Sequence, residues 1–473
     1  MDLITGKMLK RRGWPEGKII GAARDAGTQL LAQGHEREVV LDRLDAVRRD
    51  PGPFLGDPLL ADLARECLRL THKSETTSAG LREEALPYPT WGKEAIDKGS
   101  FAQMDSAMRL PVTVAGALMP DAHIGYGLPI GGVLAVDNAV IPFAVGVDIA
   151  CRMRLSIYEV SPYLLGQKKT AFENALLEQT AFGMGAQWKG SQRASHAVLD
   201  EQAWNATRLL KGLQDNAQRQ LGTSGTGNHF VEWGAFHLDQ PLLGLQPGDY
   251  LALLSHSGSR SVGFKIAETY SKLAMERHPN LDKSARHLAW LSLDSEEGQE
   301  YWLSMELAGR FASANHFIIH QRVAKAVGLR EAAVVENHHN FAWSEKLPDG
   351  RTVIVHRKGA TPAGAGVLGI IPGSMGDPGY LVRGKGVSAS LASASHGAGR
   401  LMSRRTALDS ISKRSRDAYL KERGVTLLGG GLDESPQAYK PIDQIIAAQQ
   451  ELIEVLGRFS PRIVRMADEA GEV

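Results

Sequence analysis

Apolar positions recur with a 3.6-residue period in KIIGAARDAGTQLLAQG, REVVLDRLDAVRR and PLLADLARECLRL, three segments separated by Gly and Pro breaks. They predict a small helical extension over residues 1–85, then LREEALPYPTWG as a connector leading into a larger unit over 86–473. From Trp91 the pattern changes to short apolar, β-branched runs that end in polar or Gly-rich loops. VTVAGALMP, GGVLAVDNAVIPFAVGVDIACRMRLSIYEV, DYLALLSHSGS, AAVVENHHNF and RTVIVHRKG read as strands. YLLGQKKTAFENALLEQTAF, DEQAWNATRLLKGLQDNAQRQ, SEEGQEYWLSMELAGRFASANHFIIHQRVAKAV and PIDQIIAAQQELIEVLGRF read as helices. Strands and helices do not alternate strictly, so the expected class is α+β rather than a doubly wound sheet.

Composition narrows the picture. With 43% apolar and 23% charged residues among 473, the chain is globular, not disordered or rod-like. Its 54 Lys and Arg nearly cancel 53 Asp and Glu, so any polyanion must be met by a local patch rather than by the total field. From Arg400 to Arg416, six basic residues stand against Asp409 alone, either a phosphate-facing segment or a solvated helix face. Two cysteines, Cys67 and Cys151, exclude a disulfide scaffold and fit a reducing cytoplasm. The nearly uncharged stretch Tyr126 to Ala150 is long enough to span a bilayer, but Pro129, Pro142 and several glycines break it. It is expected to form buried strands in a soluble protein.

Polar clusters sit at the strand ends, and each has a bland alternative. Asp148 and Cys151 in GVDIACRM fit a divalent cation, which would offset both anions; a buried structural cysteine is the alternative. His229 follows a Gly-rich loop in GTSGTGNHFVE, either as a ligand or as a core histidine after a turn. His256 in SHSGSR has Arg260 four residues on, which suits an oxyanion on a metal and equally a hydroxyl-rich turn. His338 and His339 point to opposite faces if their strand persists, so one of them at most joins a given ion. His396 in SHGAGR has small neighbours that admit a large partner, as a phosphoryl-accepting nucleophile requires; a histidine in a tight turn is the alternative. Gly364, Gly366 and Gly369 match GxGxxG, but Pro372 follows and no helix opens there. His316 and His320 lack the Glu of HExxH and are expected in the core.

In chain order PDAHIGYGLPIGG, VDIAC, GTGNHFVE, HSGSR, HN, HRKGAT, PGSMG and HGAGR resemble the motifs of the RtcB family of RNA ligases, from about Trp91 onward. The resemblance implies an RtcB-type α+β fold with mixed sheets, surrounding helices and a central dinuclear metal cleft. It implies two Mn²⁺ ions, one on Cys151, His256 and His339, the other on Asp148, Cys151 and His229. It makes His396 the histidine that takes GMP from GTP and passes it to an RNA 3′-phosphate, forming RNA(3′)pp(5′)G, which a 5′-hydroxyl end then attacks. A 2′,3′-cyclic phosphate would first be opened at the same site. Asn228, Glu232, Ser374, Gly397, Ala398, Gly399, Arg400 and Tyr439 match nucleotide contacts, Arg260 and Arg404 phosphate contacts, and Asp121 a residue orienting a ligand or the 5′-hydroxyl. A role in RNA repair or tRNA processing, as a cytoplasmic monomer, goes with this reading.

Asp377, Pro378 and Gly379 depart from the family's small hydroxyl residues, and Arg465 or Met466 stands near the place of a guanine-contacting lysine. Both departures bear on guanine selectivity. A dinuclear-metal RNA phosphodiesterase and a non-ligating RNA-end-binding protein are the competing functions; neither has need of His396 beside a complete ligand set.

Overall fold

The computed structural model describes residues 4–15, 18–78 and 80–468, in two compact units, Met1–Gly80 and Leu81–Val473. In the first, helices Gly6–Arg11, Lys18–Ala32, Arg37–Arg49 and Ala61–Ser78 enclose a core of Leu9, Trp14, Leu30, Leu44, Leu63 and Cys67. Arg12 closes its surface by pairing with Asp45 at 2.6 Å. In the second unit, Leu81, Ala85 and Leu86 of the connector pack on the unit's own core, and Arg82 donates to Thr113 O.

Two large sheets organise the second unit. β1 (Thr113–His123), β2 (Ile130–Val136), β9 (Asn340–Lys346) and β10 (Thr352–Lys358) pair in the order β1-β2-β10-β9. The larger sheet runs β12 (Leu368–Ile371), β13 (Gly379–Gly384), β16 (Ile453–Met466), β5 (Phe230–Leu238), β6 (Gly248–Ser257), β4 (Arg152–Tyr158) and β8 (Ala333–His338), with β15 (Thr426–Leu428) beside β16. It curls until its outermost strands meet: Asn337 of β8 donates to Ile370 O and accepts from Ile370 N of β12 at 2.8 Å. This amide stands in for the ladder bonds that would close a barrel. Short pairs complete the set, β3 (Ala139–Val140) with β7 (Leu291–Ser292) and β11 (Ala360–Pro362) with β14 (Ser393–Ser395). Mixed sheets with surrounding helices make the fold α+β.

Most expected elements are present, with two corrections. PIDQIIAAQQELIEVLGRF is helical only over Ile442–Ala447; its second half opens β16. That segment lies between β13 and β5, and pairing on both sides outweighs its helical spacing. Tyr126–Ala150 holds β2, β3 and the short helix Pro142–Val145 rather than strands throughout. β5 and the helix Arg260–Arg277 are not among the expected elements. Among the described residues, no helix is long and apolar enough to cross a membrane.

Candidate metal and nucleotide site

Four neighbouring strands deliver polar residues to one edge of the curled sheet. His229 immediately precedes β5, His256 lies near the end of β6, Cys151 precedes β4 and His339 follows β8. Antiparallel register aligns Phe230 and Met153 with His256, and Arg152 with His338, so the four residues come together. Cys151 Sγ lies 3.1 Å from His256 Nε2 and 3.4 Å from His229 Nε2; His256 Nε2 lies 3.2 Å from His339 Nε2. Asp148 Oδ2 is 3.0 Å from His229 Nε2. Backbone conformation is specialised here. Ala150, before Cys151, takes φ 57° and is held by Asn340 O at 2.7 Å; any Cβ at Gly258 would run into the Asp148 carboxylate.

The chemistry of these donors suits a cation. His256 Nδ1 donates to Asn228 O at 3.1 Å, which leaves a lone pair on Nε2 facing the thiol and His339. His339 Nδ1 is buried without a hydrogen-bond partner. Burial, and then neighbouring imidazoles, hold His256 and His339 well below the ordinary histidine value, so both are neutral. Burial and then Asp148 push the Cys151 thiol well up, so a thiolate forms there only beside a positive ion. Burial raises Asp148, but His229 and Arg260 outweigh it and bring the carboxylate to about 2. A mixed S, N and O set of this kind fits a divalent transition ion better than Mg²⁺.

His396 follows β14, and its ring centroid lies 4.9 Å from that of His339. The fully buried Asp121 of β1 receives His396 Nδ1–H at 2.7 Å and the backbone N–H of His396 and Gly397 at 3.2 and 3.4 Å. Burial would raise the Asp121 carboxyl, yet the bond to His396 and the charge of Lys440 keep it below the usual range. Lys440 is itself fixed by Pro120 O and Ala122 O at 3.1 and 2.8 Å.

A cavity of about 940 Å³ runs from the metal-type cluster past His396 to Ser374, Tyr439 and Met466. Asn228, Gly397, Ala398, Gly399, Arg400 and Arg404 also line it. Three expected site residues stand behind the lining: Asp121 under His396, Arg260 donating to His229 Nδ1 at 3.2 Å, and Glu232 on β5. Glu232 Oε2 is buried without a partner, and burial pushes its carboxyl well above the ordinary value.

The basic segment is only partly free. Arg404 pairs with Asp433 at 2.5 Å and with Glu434; Arg400 donates to Glu434 at 3.3 Å; Arg416 is buried against Gly430 O and Asp417. Three of its six cations are thus largely occupied, Arg400 and Arg404 by carboxylates 29 to 34 residues further along and Arg416 by the adjacent Asp417 and by Gly430 O. Asp377 ties down Ser374 by accepting its hydroxyl, and accepts Tyr419 O–H at 2.6 Å. Met466 faces the cavity, while Arg465 turns to Asp468 at 2.9 Å. His338 packs on Phe341 and Trp343, away from the cluster. Buried as expected, His316 and His320 form a polar network, both hydrogen-bonded to Ser255 Oγ at 2.6 and 2.7 Å. Lys358, in HRKGAT, is a cavity residue that sequence reasoning missed; burial lowers its amine to about 7.

Residues 103–467 match the family model described as tRNA-splicing ligase RtcB. The chain belongs to the RtcB family. RNA-splicing ligase RtcB of Escherichia coli K12 is 33% identical over 406 residues, covering 80% of this chain and 96% of that protein. tRNA-splicing ligase RtcB of Nanoarchaeum equitans is 33% identical, covering 73% and 86%, and RNA-splicing ligase RtcB of Mycobacterium tuberculosis 32%, covering 74% and 96%. The RtcB match begins beyond the first helical unit, whose residues Met1–Gly80 lie outside it.

Proposed function

We propose that this RNA ligase joins RNA ends bearing a 3′-phosphate or 2′,3′-cyclic phosphate to ends bearing a 5′-hydroxyl, with GTP as co-substrate, in RNA splicing or repair in the cytoplasm. The observation that carries this reading is the Asp121–His396 bond at 2.7 Å. A carboxylate on Nδ1 fixes the tautomer, leaving the lone pair on Nε2, which has no hydrogen-bond partner among the described residues.

His396 Nε2 attacks the α-phosphorus of GTP; an N–P bond forms and pyrophosphate leaves. As the imidazole becomes cationic, Asp121 stabilises the charge. An oxygen of the RNA 3′-phosphate then takes the GMP, breaking the N–P bond and giving RNA(3′)pp(5′)G. Attack by the 5′-hydroxyl oxygen on the RNA phosphorus forms the 3′,5′ linkage and expels GMP. Two Mn²⁺ ions, on Cys151, His256 and His339 and on Asp148, Cys151 and His229, would supply Lewis-acid charge to the phosphate oxygens. Asn228, Ser374, Tyr439, Arg400 and the backbone of Gly397, Ala398 and Gly399 form the nucleotide walls, with Glu232 behind them. Arg260, buried behind the lining and bonded to His229, would lend positive charge to the phosphate site through that contact, and Arg404 supports the pocket through Asp433 and Glu434. A phosphodiesterase would not need an imidazole held in this way.

Incubation of a 3′-phosphate RNA and a 5′-hydroxyl RNA with GTP and Mn²⁺ tests the proposal. Joining is expected for these ends and not for a 3′-hydroxyl with a 5′-phosphate; the reverse preference would sink it.

A further inference from the structure

A second cavity, of about 720 Å³, opens on the solvent side of the curled sheet, where β5, β15 and β16 meet the turn after β4. Its floor is small: Ala235 of β5 lies opposite Ser460 of β16. Arg458 and Arg462 flank Ser460 at alternate positions of the same strand, both exposed, and neither has a carboxylate partner among the described residues. Arg458 shares a hydrogen bond with the Tyr380 hydroxyl and Arg462 donates to Arg423 O at 3.1 Å, which leaves further N–H groups on each guanidinium. Lys169 also lines the cavity, with a long, partly exposed pairing to Glu173 at 3.6 Å. Asp249 is the one carboxylate in the lining, and it is engaged by His237 at 2.8 Å. Tyr163, 82% exposed, presents its ring at the rim.

Such a groove combines cations spaced along a strand with an aromatic face and a floor that leaves room above it. These are the components that hold a single-stranded nucleic acid without reading its sequence. Charge placement is compatible with it, because three of the six cations expected to face phosphate, Arg400, Arg404 and Arg416, are largely occupied elsewhere.

We propose that this groove binds the phosphodiester backbone of single-stranded RNA, with Arg458, Arg462 and Lys169 on phosphates and Tyr163 stacked on a base, and so holds the body of the RNA substrate. The proposal rests on the RNA-ligase reading. His229 and His237 stand at opposite ends of β5, eight residues apart, or ~27 Å at ~3.4 Å per residue. A strand stacked as in a duplex, with one phosphate per ~3.4 Å, spans that distance in about eight nucleotides, and an extended one in roughly half as many. RNA much shorter than this on the bound side does not reach the groove.

The test uses the full chain and a labelled 20-nucleotide RNA with a 3′-hydroxyl and a 5′-phosphate, which cannot react. Replacing both arginines, Arg458→Gln with Arg462→Gln, is expected to weaken binding at least fivefold. The slope of log affinity against log salt should become shallower by about 1.4, the value for two lost phosphate contacts. Tyr163→Ala should weaken binding roughly tenfold, and Arg458→Lys with Arg462→Lys should keep the wild-type slope. In ligation assays the Gln pair should raise KM for 20-nucleotide substrates and leave KM for dinucleotide substrates, too short to reach the groove even when extended, unchanged. Wild-type affinity and slope in the Gln pair would overturn the proposal. So would displacement of the 20-mer by a mononucleotide at comparable concentration, which marks a small-anion site. If no RNA is ligated by any form while binding still depends on Arg458 and Arg462, the ligase reading fails and the groove stands.

Discussion

His396 Nδ1 donates to Asp121 Oδ2 at 2.7 Å, from a carboxylate that is fully buried and also gathers two backbone N–H groups of the same turn. One side chain therefore sets the tautomer, the ring orientation and the local backbone of the proposed nucleophile.

For Asp121→Asn we expect a folded protein whose rate of GMP transfer from GTP falls by about 10² or more, as an amide can hold the ring but not stabilise its charge. Single-turnover labelling, with thermal unfolding as the control for structure, measures this. An unchanged rate in a folded variant would assign Asp121 a purely structural part.

Arg404 shows how packing changes an expectation drawn from charge alone. Burial works against its cation, but Glu434, Tyr439 and Asp433 more than offset this and hold it above its ordinary value. Arg404→Ala leaves Asp433 and Glu434 facing a partly buried void with less compensation. The expected outcome is a loss of about 3 kcal/mol of stability, with guanylylation and ligation impaired together. Denaturant unfolding and separate assays of the two steps check it; weaker ligation with intact guanylylation and stability would restore a pure phosphate-contact role.

Lys358 gives a pH dependence of definite sign. Its amine titrates at about 7 in the fold because of burial, and near 10.4 in the unfolded chain. Between these values the unfolded state holds the extra proton, so stability rises with pH across that window. The cost of burying the cation is fully present below about 7. Relative to wild type, Lys358→Met should therefore be more stable at pH 6 than at pH 9.5, by a few kcal/mol at most, on a scale of ~1.4 kcal/mol per unit. Denaturant midpoints at the two pH values decide it; a pH-independent difference would mean that Lys358 does not titrate in this range.

The residues that cluster at one edge of the sheet were legible as polar positions beside apolar runs, His229 and Cys151 just before a strand, His256 and His339 at the end of one. The order of the strands was not legible. β16 pairs with β5 more than 200 residues away, and nothing local in ELIEVLGRF distinguishes a helix from a strand that will be covered on both sides. The pairing of the basic run is hidden for a related reason: Asp433 and Glu434, which neutralise Arg404, lie 29 and 30 residues further along. Lys358 was passed over because a lysine at a strand end is ordinary until the fold encloses it. The α+β class, by contrast, follows from segment order alone.

The central claim is that His396, held by Asp121 beside the Cys151 cluster, accepts GMP from GTP. Incubation of the protein with α-labelled GTP and Mn²⁺, followed by denaturing separation, tests it most directly. The expected result is an acid-labile protein–GMP adduct that is absent in His396→Ala, and lost in Cys151→Ala together with bound metal measured by elemental analysis. An intact protein that forms no adduct, or a His396→Ala variant that labels as well as wild type, would contradict it.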